Sequence, residues 1–188
     1  MAPFNYRRGF TLIELLVTLA LVAILMTVAA PSFVAFQRNA ELTSLANTLL
    51  ASINAARGEA MKRGRNAVVS PLVGAKWESG WVVYVDVDAS KTFSSNDVMV
   101  HSRGILPEYI TVTANGSADE TASAPLIKFN ASGFPEVPGD NLTFNIERND
   151  VVASQKFSET RRLTIAKTGR AKICKPVSAT DENCKPGT

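Results

Sequence analysis

One carboxylate, Glu14, stands near the start of a long apolar stretch that continues without a charge from Leu15 to Phe36. An ionisable group is expensive to bury in lipid, about 2.5–3.5 kcal/mol on insertion scales, so such residues usually have a function. About 20 apolar residues suffice to cross a bilayer. The stretch therefore predicts a membrane-spanning helix in which Glu14 has a specific role.

Residues that could perform covalent or metal chemistry are few. The chain has one histidine, His101, which we interpret as a surface or packing residue. Asp86 and Asp88 resemble a pair of metal ligands, but the full spacing of a calcium loop does not follow them. The sequence contains no Gly-rich phosphate loop, nucleophile elbow or metal-binding helix motif. We therefore expect a protein that is not an enzyme and uses no metal, cofactor or small-molecule substrate.

The residues on either side of the apolar stretch help to distinguish a secretory signal from a plain membrane anchor. Arg7 and Arg8 precede it, and the positive-inside bias places that end in the cytoplasm. An ordinary secretory signal has an apolar core of about 7–15 residues and is cut after it. Here the core is longer, and the best cleavage point, after Gly9, precedes it. A plain anchor fits the length but does not explain Glu14.

The segment 7–14 (Arg-Arg-Gly-Phe-Thr-Leu-Ile-Glu) resembles the class III signal of type IV prepilins and pseudopilins. In that family a membrane peptidase cuts after the glycine, here Gly9, and the new N-terminus, here Phe10, is N-methylated. The resemblance implies that Glu14 of an incoming subunit pairs with the Phe10 amine of a neighbour, since each charge needs a partner in lipid. Pro31 matches a helix-bending proline of the family. The implied partners are the prepilin peptidase, other pilins or pseudopilins, and the inner membrane.

The helical pattern continues past the membrane edge. Apolar residues recur at three- and four-residue steps from Leu42 to Ala60, and Gly64 is predicted to cap a helix that begins near Phe10. Four segments result: a leader (1–9), a transmembrane or filament-core helix (10–36), the soluble half of that helix (37–65) and a β-rich globular domain (66–188).

The globular domain has the pattern of short strands. The predicted strands are 66–70, 81–87, 105–114, 126–130, 142–148, 151–157, 162–166 and 171–174. Asn149-Asp150 and the segment 167–170 are predicted hairpin turns, and 115–125 is a predicted loop. The predicted class is α+β: a long N-terminal helix packed against small antiparallel sheets, as in type IV pilins.

The two cysteines, Cys174 and Cys184, lie close together near the C-terminus. In a periplasmic or surface domain they would form a disulfide, which is worth roughly 3 kcal/mol for so short a loop. Free thiols or metal ligands are the alternatives.

Charge is distributed unevenly, although the net charge is only +3. Residues 66–155 carry five basic and eleven acidic side chains, a net of −6, whereas residues 156–188 carry eight basic and three acidic, a net of +5. Such asymmetry predicts either a surface that faces a polyanion or a solvated basic face.

Later segments are similar to the GspH/FimT family of minor pilins and pseudopilins. The matching segments are Ala56-Arg57-Gly58-Glu59-Ala60, Gly80-Trp81, 129–133, 161–165 and Gly169-Arg170-Ala171-Lys172. Some proteins of the FimT branch bind DNA through a Gly-Arg-x-Arg element at the last of these positions. The resemblance implies non-specific phosphate contacts here. The residues concerned are Lys167, Arg170, Lys172 and Lys175.

Two features weaken the implication that this hairpin binds DNA. Lys172 keeps the charge of the family's arginine but not its bidentate fork. No aromatic residue follows Phe157, so bases of a single strand have no stacking platform there.

The predicted function is that of a minor pilin that helps to prime pilus assembly. We expect it in the bacterial inner membrane, with its C-terminal domain in the periplasm, and then in the pilus. Two alternatives remain: a GspH-type pseudopilin of a type II secretion system, and a membrane-anchored periplasmic binding protein that does not polymerise. Processing at Gly9 would separate the last from the others.

Overall fold

The computed structural model describes residues 9–115, 126–136, 141–178, 181 and 184. The chain divides into two compact units, Met1–Ala40 and Glu41–Thr188. Most of the predicted leader and of the predicted loop 115–125 lies outside the described residues. The four predicted segment boundaries stay predictions.

One long helix, α1 (Leu12–Arg63), belongs to both units. Its start is capped by Thr11, whose hydroxyl accepts a hydrogen bond from the Glu14 amide at 3.3 Å. Its end is formed by Gly64 in the left-handed region (φ 61°), with the Arg65 amide donating back to the Ala60 carbonyl. Both ends agree with the helix predicted from the sequence.

The first unit consists of the N-terminal part of α1. Its large apolar side chains are exposed from Phe10 to Met26 and again from Phe33 to Phe36. Among the described residues, no single straight helix has the length and hydropathy needed to cross a membrane, whereas the bent pair Leu12–Thr27 and Ser32–Arg63 does by length and composition. Pro31 lies in the interval between the two halves of that pair.

The second unit contains two four-stranded antiparallel sheets. Sheet A has the order β3-β2-β1-β5, and sheet B has the order β4-β6-β7-β8. The strands are β1 (Ala67–Val73), β2 (Lys76–Val85), β3 (Val98–Arg103), β4 (Ile110–Asn115), β5 (Ile127–Phe129), β6 (Asn141–Arg148), β7 (Thr160–Ala166) and β8 (Ala171–Cys174). This architecture is the α+β class predicted from the sequence.

The core lies between the second half of α1 and the inner faces of both sheets. The predicted apolar stripe of the helix is buried there, each member at most 4% exposed: Leu42, Leu45, Leu49, Ile53, Ala56 and Ala60. Trp77 of β2 meets Phe144 of β6 edge to face, with ring centroids 4.9 Å apart. This aromatic pair joins the two sheets over the helix.

The predicted strand 151–157 is wrong. A short 3₁₀ helix, Ala153–Gln155, occupies that segment, and β6 pairs with β4 and β7 instead. The cause is Arg148, which forms ion pairs with Asp150 at 2.9 Å and with Glu159 at 3.2 Å. These pairs close a longer loop between β6 and β7, so Asn149-Asp150 is not a two-residue hairpin turn.

Strand β3 was not predicted. All of its residues are exposed or half-buried, so it lacks the apolar–polar alternation that marks a half-buried strand. Its place in the sheet comes from pairing with β2, as in Val83 with His101.

Candidate functional site

The N-terminal part of α1 presents an apolar surface with one carboxylate. Phe10 is 81% exposed, and Glu14 is exposed three residues into the helix. In the described part of the chain, no basic side chain forms an ion pair with Glu14. A helix that is apolar on all sides is stable when it is buried in lipid or among other helices. The surface around Glu14 can therefore serve as a packing surface with a polar contact point.

The β7–β8 hairpin carries the four basic residues that the sequence indicated. Lys167 and Arg170 are exposed in its turn, which is closed by hydrogen bonds between Ala166 and Arg170 and between Ala166 and Gly169. Lys172 is half-buried on β8, and Lys175 is exposed beyond its end. The four charges therefore span the turn, strand β8 and the residue after it.

Two other basic residues of this region are buried, one on each face of sheet B. Arg161 and Arg162 are each 8% exposed. Arg161 Nε donates to Thr43 Oγ1 of α1 at 3.2 Å, and burial lowers the pKa of its guanidinium. Arg162 Nε donates to Asn145 Oδ1 of β6 at 2.8 Å. The surface is therefore less basic than the sequence count suggests.

Arg57 of α1 holds the turn of the β7–β8 hairpin. Its Nη1 donates to the Gly169 carbonyl at 3.1 Å and its Nη2 to the Thr168 carbonyl at 3.2 Å. Gly169 has φ 80°, and a Cβ there would lie 2.6 Å from the Gly133 carbonyl oxygen. The three matching segments 56–60, 129–133 and 169–172 thus meet at this turn. The sequence identified each segment separately, but no sequence pattern indicated that they are in contact.

A disulfide joins Cys174 and Cys184, with their Cα atoms 5.7 Å apart. Cys174 pairs with Arg162 across β7 and β8, on the sheet face opposite the core. Cys184 is buried, and its carbonyl accepts a hydrogen bond from Arg162. The bond therefore fastens Cys184 to the outer face of sheet B. The predicted disulfide is confirmed.

The acidic loop after β2 brings Asp97 next to the Asp86 and Asp88 pair, with ligand atoms within 4.8 Å of one another. These carboxylates accept hydrogen bonds from the loop itself: Asp86 from the amides of Ser90 and Lys91, and Asp97 from those of Val87 and Ser94. The Ser90 side chain and amide lower the pKa of Asp88. The arrangement orders the loop, and the sequence did not indicate Asp97.

A long helix with an unpartnered apolar half, joined to antiparallel sheets, defines the class of type IV pilin-like proteins. The family model described as Type II transport protein GspH matches residues 45–169, and the one described as Prokaryotic N-terminal methylation motif matches residues 4–30. The chain belongs to the GspH family.

The relatives are pilins and pseudopilins. The chain is 26% identical to the pilin-like protein PilA1 of Thermus thermophilus over 167 residues, which are 89% of this chain and 98% of that protein. The type IV minor pilin FimU of Pseudomonas aeruginosa superposes with a TM-score of 0.56 at 24% identity, over 74% of this chain and 92% of FimU. The minor pseudopilin EpsH of Vibrio cholerae gives 0.51 at 16% identity, over 73% and 99%. Both superpositions show the shared fold.

Proposed function

We propose that this chain is a minor pilin of a type IV pilus, which helps to prime assembly of the filament. The observation that carries the proposal is the exposed apolar half of α1 with the Glu14 carboxylate. Before assembly the bilayer would cover this surface, and in the filament the helices of other pilins would cover it. The name of the pilin-like protein PilA1 favours a pilus, whereas the matching family model is named for type II transport, so a secretion system remains the alternative.

The role of Glu14 is to pair with the N-terminal amine of a neighbouring subunit after cleavage between Gly9 and Phe10. Glu14→Ala should leave the membrane-bound amount of protein unchanged. It should reduce the amount in sheared pili about tenfold or more. A lost contact worth about 1.4 kcal/mol already lowers an association constant tenfold. Thr18→Ala is the matched control, because Thr18 is exposed on the same helix and its hydroxyl donates to the Leu15 carbonyl of its own helix. Normal incorporation of Glu14→Ala would refute the pairing.

The alternative is a pseudopilin of a type II secretion system. A strain that lacks this gene distinguishes the pilus function from the secretion function. Loss of pili with intact protein secretion supports the pilus, and loss of secretion with intact pili supports the pseudopilin.

A second function, non-specific DNA binding, is favoured by the exposure of Lys167, Arg170 and Lys175 on one hairpin. Arg57 and the disulfide hold this hairpin at its two ends. Such an element can contact successive phosphates without reading the bases. The binding would be strongly salt-dependent, because each phosphate contact releases counterions.

A salt titration of the full chain in detergent with duplex DNA tests this second function. The double variant Arg170→Ala/Lys175→Ala, which removes two exposed charges, should flatten the slope of log affinity against log salt by about 1.8, since each phosphate contributes about 0.9. Lys62→Ala/Lys76→Ala is the control, because both lysines are exposed and lie outside the hairpin. Equal slopes for the two double variants would exclude the hairpin as a DNA site.

A further inference from the structure

We propose that Phe134 is a stacking platform for unpaired bases beside the β7–β8 turn, so that the DNA bound there is single-stranded. The inference rests on the proposed DNA binding and deepens it, because it names the form of DNA that the site takes. Phe134 lies well before the hairpin in the sequence and comes close to it only through the fold.

The turn 130–134, which follows β5, lies against the β7–β8 turn. A Cβ placed on Gly169 would lie 2.6 Å from the Gly133 carbonyl oxygen, so the two backbones are in close contact. The Arg57 guanidinium lies at the same contact: its Nε would be 3.1 Å from that Cβ and 3.3 Å from a Cβ on Gly133. The absence of a side chain at both glycines is what lets the two turns approach each other.

Phe134 and Arg170 each follow this contact by one residue, Phe134 after Gly133 and Arg170 after Gly169. Consecutive Cα atoms are about 3.8 Å apart, so each side chain starts one such step from the point where the turns touch. Both side chains are exposed, and that of Phe134 is 51% exposed. A DNA strand that places a phosphate on Arg170 can therefore bring a base to the ring of Phe134.

The backbone that carries the ring is ordered by Asn130. The Asn130 side-chain oxygen accepts hydrogen bonds from the amides of Ser132 at 3.0 Å and Phe134 at 3.1 Å, and the Asn130 amide donates to the Phe134 carbonyl at 2.9 Å. The next residue, Pro135, forms a bridge with Phe129 of β5. A ring on a backbone that is already ordered loses little conformational freedom when a base stacks on it.

The charge near Phe134 suits a polyanion. Glu136 is the carboxylate nearest to Phe134 along the chain, and it forms an ion pair with Lys128 Nζ at 2.8 Å. Lys167 and Arg170 are exposed on the neighbouring turn. The ring is thus bordered by a neutralised carboxylate on one side and by basic side chains on the other.

An exposed aromatic ring beside basic side chains is the arrangement that binds single strands, with bases on the ring and phosphates on the charges. Stacking of this kind tolerates any sequence, because every base has a π-face. In a duplex the bases stack on one another, so Phe134 has no base face to contact. Sequence order concealed this platform, since Phe134 precedes Phe157 and the whole hairpin.

Binding of a labelled oligothymidylate, and of a labelled duplex of equal length, to the full chain in detergent at low salt tests the inference. Phe134→Ala should weaken binding of the single strand about tenfold, the size of loss expected for one stacked base. It should leave binding of the duplex unchanged. Phe134→Trp keeps an aromatic ring and should bind the single strand as the wild type does.

Phe93→Ala is the matched control. Phe93 is 41% exposed, but it lies in the acidic loop after β2 with its ring 5.3 Å from that of Tyr84. Its removal should change the affinity for neither form of DNA. An abasic strand of the same length supplies the second control, because it keeps the phosphates and has no bases. Phe134→Ala and the wild type should bind the abasic strand equally.

The outcomes separate the stacking platform from the DNA function. A wild-type chain that binds DNA, with no loss of single-strand affinity in Phe134→Ala, would overturn the platform and leave the DNA function standing. Equal losses in Phe134→Ala for the single strand and the duplex would also overturn the platform, because a duplex presents no unpaired base. A wild-type chain that binds neither form at low salt would overturn both.

Discussion

Arg57 and Gly169 meet where the last turns of α1 reach the β7–β8 turn. The Arg57 guanidinium donates to the Gly169 and Thr168 carbonyls at 3.1 and 3.2 Å. A helix at the start of the domain is thereby joined to a hairpin near its end. The contact is charge-assisted, which makes it stronger than a neutral hydrogen bond.

Arg57→Ala should lower the free energy of unfolding by about 2–3 kcal/mol, because two carbonyl acceptors lose a charged donor. Arg63→Ala is the control. Arg63 is exposed and pairs with Glu59 one turn away on the same helix, and such pairs are worth about 0–1 kcal/mol. Chemical denaturation of the full chain in detergent, with the disulfide intact, measures both. Equal losses would show that Arg57 does not join the elements.

Gly169→Ala should be more destabilising than Gly74→Ala. Both glycines have positive φ, 80° and 54°, so both substitutions carry the left-handed strain of about 1–2 kcal/mol. Only at Gly169 does the new Cβ approach other atoms, the Gly133 carbonyl oxygen at 2.6 Å; at Gly74 nothing lies within 4 Å. Thermal unfolding of the two variants compares them directly. Similar melting temperatures would contradict the close approach.

Ser52→Ala should lower the free energy of unfolding by about 1–3 kcal/mol, the cost of a buried donor without an acceptor. Trp81 Nε1 donates to Ser52 Oγ at 2.9 Å in the core between α1 and β2. Ser44→Ala, on the exposed side of the same helix, should change stability little. A fluorescence change of Trp81 should accompany the Ser52 variant and not the Ser44 variant.

Stability should fall at alkaline pH because of Tyr84. Burial, and then the negative charge of Asp86, raises the pKa of its phenol well above the ordinary value of 10.0. A raised folded-state pKa contributes stability that is fully present below pH 10.0 and lost as the pH rises towards the folded-state value. Tyr84→Phe cannot ionise, so its melting temperature should depend less on pH above 10.0. Parallel pH profiles for variant and wild type would contradict this.

The helix and the second hairpin were predictable because local signals agree with the fold. The stripe from Leu42 to Ala60 has the period of a helix, Gly64 ends it, and β7 and β8 flank a turn. Long-range contacts were not predictable. Arg148 replaces the expected hairpin at Asn149-Asp150 by a longer loop, and no short-range pattern announces the ion pair with Glu159 that closes it.

The candidate functional site was also predictable only where a local sequence feature indicated it. Cys174 and Cys184 could be paired from composition and spacing, since they are the two cysteines of the chain. The count of basic residues near the C-terminus could not reveal that Arg161 and Arg162 are buried, because adjacent residues on a strand point to opposite faces and both faces are covered here. The roles of Gly9, Phe10 and Glu14 stay predictions from the motif.

The measurement that tests the central claim most directly is the intact mass and N-terminal sequence of this chain from sheared filaments. We expect a mature subunit that lacks residues 1–9 and begins with N-methylated Phe10. Gly9 replaced by a bulky residue should remain uncut and absent from filaments. A wild-type chain that keeps its first nine residues, or that is found only in the membrane, would contradict the account.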